Sequence, residues 1–333
     1  MPDIEELLDG ARVVALPMRN RFRGITSRET LLLRGPAAWA EFGPFAEYDD
    51  VEAARWLRAA LEAGWSGFPP ALRSSIPVNA TVPAVAAAQV GSVLEAFGEV
   101  SAVKIKVAEP GQQLEEDLNR VAEVRRLLPR AAVRIDANAG WSHSEALEAL
   151  RRLVDFDLEY AEQPVAGIPG LARLREALSS ARIELRIAAD ESVRKETDPL
   201  AVARQGAADL LVIKVAPLGG VKAALDIVSQ AGLPVVVSSA LDTSVGIRAG
   251  LALAAALPEL PFACGLGTVA LLAADVCDEP LTPRNGRIGL REAVPDPELL
   301  QRYRVARERE EWWLERLRRV HALLQAEAPR SGN

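Results

Sequence analysis

Ala102-Val-Lys-Ile-Lys-Val107 places two lysines inside a β-branched run of the kind that forms a buried strand. An amphipathic stretch, Leu114–Leu128, follows it, and then a second such run, Ala132–Ile135. The alternation extends in both directions. Further strand-like runs lie at Val78–Val82, Leu158–Ala161, Ile183–Ala188, Leu210–Val215, Val235–Ser238 and Phe262–Gly265. Helical runs such as Ser144–Leu153, Gly170–Leu178, Leu200–Gln205 and Val221–Gly232 separate them. Eight strands alternating with helices predict an α/β fold, a (β/α)8-type or modified TIM barrel, rather than an open sheet.

The two ends of the chain read differently. Val13–Leu16 and Thr30–Leu33 are short strands joined by a polar, Arg-rich loop, Met18–Glu29. Trp39–Phe42 reads as a third strand, and Val51–Gly64 as an amphipathic helix. Beyond Asp278 come Pro280, Pro283, Pro295 and Pro297, and then a charged helix over roughly Pro297–Ala326. The expected organisation is an α+β capping domain over 1–95, a barrel over 96–280 with its first strand from about 76, and a 281–333 segment that returns to the cap.

Composition excludes several classes of function. A net charge of −7 without a basic, aromatic-interleaved run argues against nucleic-acid binding. No stretch is apolar enough for a bilayer span, and the start lacks a basic and apolar leader. Cys264 and Cys277 have neither metal nor redox spacing. The expectation is a cytoplasmic, soluble protein acting on a small molecule, with no nucleic-acid or membrane partner, as a monomer or a homo-oligomer. His143 and His321 both lie outside the apolar strands, which speaks against a Ser-His-Asp triad or a histidine zinc site.

Lysine usage points to the chemistry. The chain has five lysines among 39 basic residues, and three of them, Lys104, Lys106 and Lys214, sit in strand-like runs. Arg cannot give up its proton in a protein, whereas a desolvated Lys can act as a base. Lys104 and Lys106 are two apart and so face the same side of their strand. The following strand ends carry Asp136, Glu162 and Asp190, and then Lys214, at intervals of 30, 26, 28 and 24 residues counted from Lys106. Each carboxylate alone could equally cap the next helix. Three that converge on one point need a cation between them, and an all-oxygen site suits Mg²⁺, with Mn²⁺ as a substitute and no organic cofactor.

The set Lys104-Ile-Lys106, Asp136-Ala-Asn138, Glu162-Gln-Pro164, Asp190-Glu191-Ser192 and Lys214 resembles the enolase superfamily, in particular its muconate-lactonising-type subgroup. The likeness spans nearly the whole chain. Within the subgroup the chain looks most like the actinobacterial enzymes of menaquinone biosynthesis that dehydrate 2-succinyl-6-hydroxy-2,4-cyclohexadiene-1-carboxylate. The resemblance implies Asp136, Glu162 and Asp190 as Mg²⁺ ligands and Lys106 as the base that removes the proton α to the substrate carboxylate. It implies Lys104 as an electrostatic partner and Lys214 as a cation over the opposite ring face. Asn138 belongs to the same motif set. Arg21-Phe-Arg-Gly-Ile-Thr26 is similar to a loop that closes the active site, with Arg21 and Arg23 as substrate contacts. Trp39-Ala-Glu-Phe-Gly-Pro44 is similar to the strand and turn that follow that loop. Val237-Ser-Ser-Ala240, through Ser238 and Ser239, is similar to the segment that holds the succinyl carboxylate, and Gly265-Leu-Gly-Thr268, with Gly265, to the eighth strand end. Gln163 and Gly267 stand where some members carry acids. The same two-lysine frame also serves N-succinylamino-acid racemases, dipeptide epimerases and cycloisomerases.

Overall fold

The computed structural model describes residues 1–195 and 198–327. At the N-terminus, β1 (Arg12–Phe22), β2 (Ile25–Arg34) and β3 (Trp39–Phe42) form an antiparallel meander. The segment Met18–Glu29, expected as a loop, is the outer half of the β1–β2 hairpin. Its turn is only Arg23-Gly24, and both residues have positive φ, 50° and 79°. Two successive left-handed residues match the right-handed twist of the flanking strands, which is why so short a turn closes the ladder with Phe22 opposite Ile25. Helix Asp50–Leu61 packs beneath the meander and runs on into a widened turn, Glu62–Ser66.

The stretch from about residue 76 divides in two. β4 (Ser75–Pro77) pairs antiparallel with β12 (Arg287–Gly289) from the C-terminal segment. The parallel sheet begins at β5 (Ala80–Val82) and continues through β6 (Ala102–Lys106), β7 (Ala132–Asp136), β8 (Leu158–Glu162), β9 (Ile187–Ala189), β10 (Leu210–Lys214) and β11 (Val235–Ser238) in sequential order. The expected eighth strand, Phe262–Gly265, does not form a ladder. It contributes two isolated parallel bridges, Val78 to Cys264 and Ser238 to Gly265. The bonds Cys264 N to Pro77 O (2.7 Å), Asn79 N to Cys264 O (3.0 Å) and Gly265 N to Val237 O (2.8 Å) close the curled sheet there.

Residues two apart along each strand face the same way, so the barrel interior is layered. The lower layer is a separate small cluster of Tyr160, Ala188, Leu210, Val212, Val236 and Phe262. Arg134 plugs it, stacked 5.0 Å from the Tyr160 ring centre and bonded to Glu159, Asn79 and the Ala263 carbonyl. One layer up are Lys106, Asp136, Glu162, Asp190, Lys214 and Ser238. The continuous C-terminal helix expected over Pro297–Ala326 is two helices, Pro297–Arg302 and Arg307–Glu327. The second returns to the N-terminal module, where Arg316 donates to the Phe45 and Tyr48 carbonyls. Among the described residues no helix is long and apolar enough to cross a membrane.

Candidate active site

The carboxyl ends of β6 to β11 meet in a cleft. Its lining includes Lys104, Lys106, Asp136, Asn138, Lys214, Ser238, Ser239 and Gly265, all anticipated from the sequence. Glu162 and Asp190 lie immediately beneath, 1% and 0% exposed. Arg23 reaches the cleft, whereas Arg21 lines an outer groove that leads to it together with Gly24, Lys106 and Asn138.

Ion pairs organise the floor. Lys104 Nζ lies 3.0 Å from both Glu162 oxygens and 3.1 Å from Asp136 Oδ2. Lys106 Nζ lies 2.6 Å from the same Asp136 oxygen and donates to Asn138 Oδ1. Lys214 donates to Asp190 Oδ2, and Arg194 Nε approaches the other Asp190 oxygen at 3.1 Å. The two same-face lysines are driven in opposite directions. Burial opposes the charge on Lys104, but Glu162 and Asp136 overcome it and hold the ammonium well above the usual lysine range. Burial pushes Lys106 down, Asp136 resists, and the Lys104 charge adds to the depression. Asp136 is held well below the carboxylate range, because Lys106 and Lys104 outweigh its burial. Asp190 is lowered likewise, Lys214 and Arg194 outweighing burial. Glu162 moves the other way, pushed up to about 8 by burial and by Asp136 and Asp190. This runs against the strong pull that Glu162 exerts on Lys104. A divalent cation among the three carboxylates would relieve their repulsion and favour the ionised form of Glu162.

The donor chemistry fits such a cation: three carboxylates on successive strands, with no His or Cys in the cleft. Among the described residues, however, no three such side chains already stand in a coordinating arrangement. The oxygens of Asp136, Glu162 and Asp190 are turned onto Lys104, Lys106, Lys214 and Arg194. A metal there would compete with these ion pairs for the same carboxylate oxygens.

The two departures from the family pattern have local explanations. Gln163 Oε1 accepts from the backbone N–H of Asp190 and Ser192, while Nε2 donates to Ser192 Oγ and the Val165 carbonyl. An ionised acid could not make the two donations. At Gly267 a Cβ would come within 3.0 Å of the Asn79 carbonyl and 3.1 Å of Pro283, so any side chain there would need these neighbours to shift. Thr268 instead turns its hydroxyl to the cleft, bonded to Ser239 Oγ at 2.7 Å. Gly265 is also packed tightly, since a Cβ would sit 2.5 Å from Ser238 Oγ.

Sequence reasoning missed Phe22, Thr81, Arg194, Leu241 and Thr268, all in the cleft wall. Phe22 lies 5.2 Å under the Lys106 ammonium. Lys195 lies over the Tyr48 ring at 5.5 Å, outside the ring of carboxylates, and Lys222 is exposed on its helix.

Comparison with known proteins gives the family of the chain. The family described as enolase C-terminal domain-like matches residues 85–295, and that described as enolase N-terminal domain-like matches 13–64. An o-succinylbenzoate synthase of Mycobacterium tuberculosis is 53% identical over 325 residues, covering 97% of each chain. One of Mycolicibacterium smegmatis is 53% identical over 325 residues, covering 97% of this chain and 99% of its own. Among solved structures, muconate lactonizing enzyme from Pseudomonas fluorescens complexed with muconolactone superposes with a TM-score of 0.75 at 21% identity, covering 89% of this chain and 98% of its own. N-succinyl Arg/Lys racemase from Bacillus cereus superposes with a TM-score of 0.74 at 18% identity, over 89% of this chain and 97% of its own. These two likenesses speak to fold alone.

Proposed function

We propose that this chain, which belongs to the o-succinylbenzoate synthases of the enolase superfamily, converts 2-succinyl-6-hydroxy-2,4-cyclohexadiene-1-carboxylate to 2-succinylbenzoate in menaquinone biosynthesis. The observation that carries the reading is the split between two adjacent lysines. Lys104 Nζ is held between Glu162 and Asp136 and kept charged, while burial and the Lys104 charge lower Lys106 against the pull of Asp136. One face of the cleft thus holds a charge and a base side by side.

Superfamily sites of this kind use divalent metal. We assign Mg²⁺, replaceable by Mn²⁺, to Asp136, Glu162 and Asp190; when bound it supplies positive charge against the substrate carboxylate as electron density gathers there. Lys106, as the neutral amine, takes the proton α to that carboxylate, oriented by Asn138 Oδ1. Lys104 adds fixed positive charge on the same side. The resulting Lys106 ammonium then protonates the departing hydroxyl. The C–O bond breaks, water leaves, and the electron pair completes the aromatic ring. Proton removal and hydroxyl loss both fall to Lys106 on one face, which makes the elimination syn. Lys214, across the barrel mouth on β10, faces the ring from the other side as a cation–π partner. Ser238 and Ser239 are assigned to the succinyl carboxylate, Gly265 to a substrate contact at the eighth strand end, and Arg21 and Arg23 to the rim. We further assign residues 1–95 to the cap, 96–280 to the barrel, whose first strand β5 lies earlier at Ala80–Val82, and 281–333 to the returning segment, of which 328–333 lie outside the described residues, and the enzyme to the cytoplasm.

The test is turnover of the hydroxycyclohexadiene substrate with Mg²⁺, followed by ultraviolet absorbance of the aromatic product, beside racemisation of N-succinyl amino acids. Dehydration is expected. Fast racemisation without any dehydration would overturn the reading.

A further inference from the structure

Tyr48 belongs to none of the motifs above, yet two guanidinium groups converge on its hydroxyl. Arg23, at the tip of the β1–β2 hairpin, donates to it at 3.3 Å. Arg194, one helical turn beyond Asp190, donates at 3.3 Å from the barrel side. The phenol is a fixed acceptor: it is 8% exposed, its carbonyl is gripped by Arg316, and its ring packs edge-on to Phe45 at 5.5 Å. Arg23 also lies over the Phe45 ring at 4.3 Å.

Beyond Arg194 the bonds run to both lysines. Arg194 Nε binds Asp190, whose other oxygen accepts from Lys214. Its Nη2 lies 2.7 Å from Glu191 Oε1, which also accepts from Asn138 Nδ2 at 3.2 Å, and Asn138 in turn accepts from Lys106. The hairpin tip and the reacting amines are thus joined through one phenolic oxygen. Two like charges would not share that spot without an acceptor between them. Without it, Arg23 would leave first. It sits on the exposed tip, whereas Arg194 keeps two carboxylates.

We infer that Tyr48 is a positioning residue that registers the hairpin tip against the Asp190 end of the barrel, so that Lys106 and Lys214 are aligned when the tip lies over the cleft. The inference rests on the proposed function only in giving Asp190 and the two lysines a part in the reaction.

The experiment uses the full chain, with Tyr48→Phe, Arg23→Met and the double variant. Trypsin cleavage after Arg21 is followed by mass spectrometry in the free protein, and kcat and KM are measured on the folded fraction. Tyr48→Phe is expected to keep the wild-type circular dichroism and to be cut several-fold faster at the tip. Its kcat is expected to fall roughly tenfold, with a smaller change in KM. Arg23→Met should show a similar loss, and the double variant no more than either alone, as two ends of one contact require. A phenol that only fills the seam leaves kcat unchanged, and that result overturns the inference. So do losses that multiply in the double variant, or an unchanged rate of tip cleavage. If Tyr48→Phe does not fold, Arg23→Met decides alone, and unchanged kcat and cleavage overturn the inference. If the wild-type chain does not turn over the cyclohexadiene, the proposed function fails while the cleavage arm still decides the coupling.

Discussion

Replacing Lys106 by arginine separates charge from proton transfer. Lys106→Arg keeps a cation beside Asp136 but cannot release a proton at any working pH. Loss of a general base costs about 10²- to 10⁴-fold, so dehydration should fall at least that far while the melting midpoint and far-ultraviolet spectrum stay near wild type. A rate within tenfold of wild type would move the base to Lys214. The strand-end residues of the site were legible in the sequence because they obey a local rule: i and i+2 share a face, and a βα unit recurs every 24 to 30 residues. What the rule could not do was rank Lys104 against Lys106. That difference comes from two oxygens of Glu162, a residue 58 positions away. Tyr48 was invisible for the same reason. Tyr48 meets Arg194 across 146 residues, and no spacing encodes that contact. Arg194 alone had a local signal, four residues beyond Asp190 on one helical turn.

At the level of elements, the errors cluster where polar residues hide regular structure. The Arg-rich 18–29 segment looked like a loop because its turn is Arg-Gly, not the more recognisable Asn-Gly, and because alternate hairpin residues face solvent. Phe262–Gly265 looked like a strand by composition, but it pairs with its neighbours only through the two isolated bridges at Cys264 and Gly265. β3 was read with its observed bounds, and it delivers Glu41 to the seam with the barrel. Glu41 Oε2 accepts from Thr243 N, Thr243 Oγ1 and Gly246 N at 3.0, 2.6 and 3.1 Å, and Oε1 accepts from Thr30 Oγ1. Burial, then Asp242, raises this acid to about 7, against the pull of Arg28. The folded protein therefore binds this proton more tightly than the unfolded chain, whose value is near 4.5. Its contribution is fully present below pH 4.5 and is lost as pH rises through about 7. Glu41→Gln keeps the site neutral, so its stability should fall less than wild type between pH 5 and 8. The difference should be on the order of 3 kcal/mol at the limit. Parallel pH profiles of the two thermal midpoints would remove Glu41 as the cause.

Across the whole molecule, the cleft is built from both the N-terminal module and the barrel, so it exists only while the two hold together. The ties are many and buried. Arg28 donates to the Leu241 carbonyl at 3.1 Å, Arg55 to the Arg194 carbonyl at 3.2 Å and Ala273 N to the Pro17 carbonyl at 2.7 Å. The C-terminal helix locks the arrangement by burying Trp313, Leu317, Val320 and Leu324 and by bonding His321 to the Pro2 carbonyl. An isolated module would expose this apolar surface to water and lose the bonds that Arg28 and Glu41 make to the barrel. Partial unfolding is therefore unfavourable, and the chain should melt as one cooperative unit. The tryptophans give a direct check. Trp39, Trp56, Trp65, Trp312 and Trp313 lie in the N-terminal module and the returning helix, and Trp141 alone lies in the barrel. Tryptophan fluorescence thus reports mainly on the module, and far-ultraviolet circular dichroism mainly on the barrel helices. The two transitions should coincide in heat and in urea. Loss of fluorescence several degrees before loss of helix would show a module that detaches on its own, and the cleft would then depend on an opening equilibrium rather than on a rigid frame.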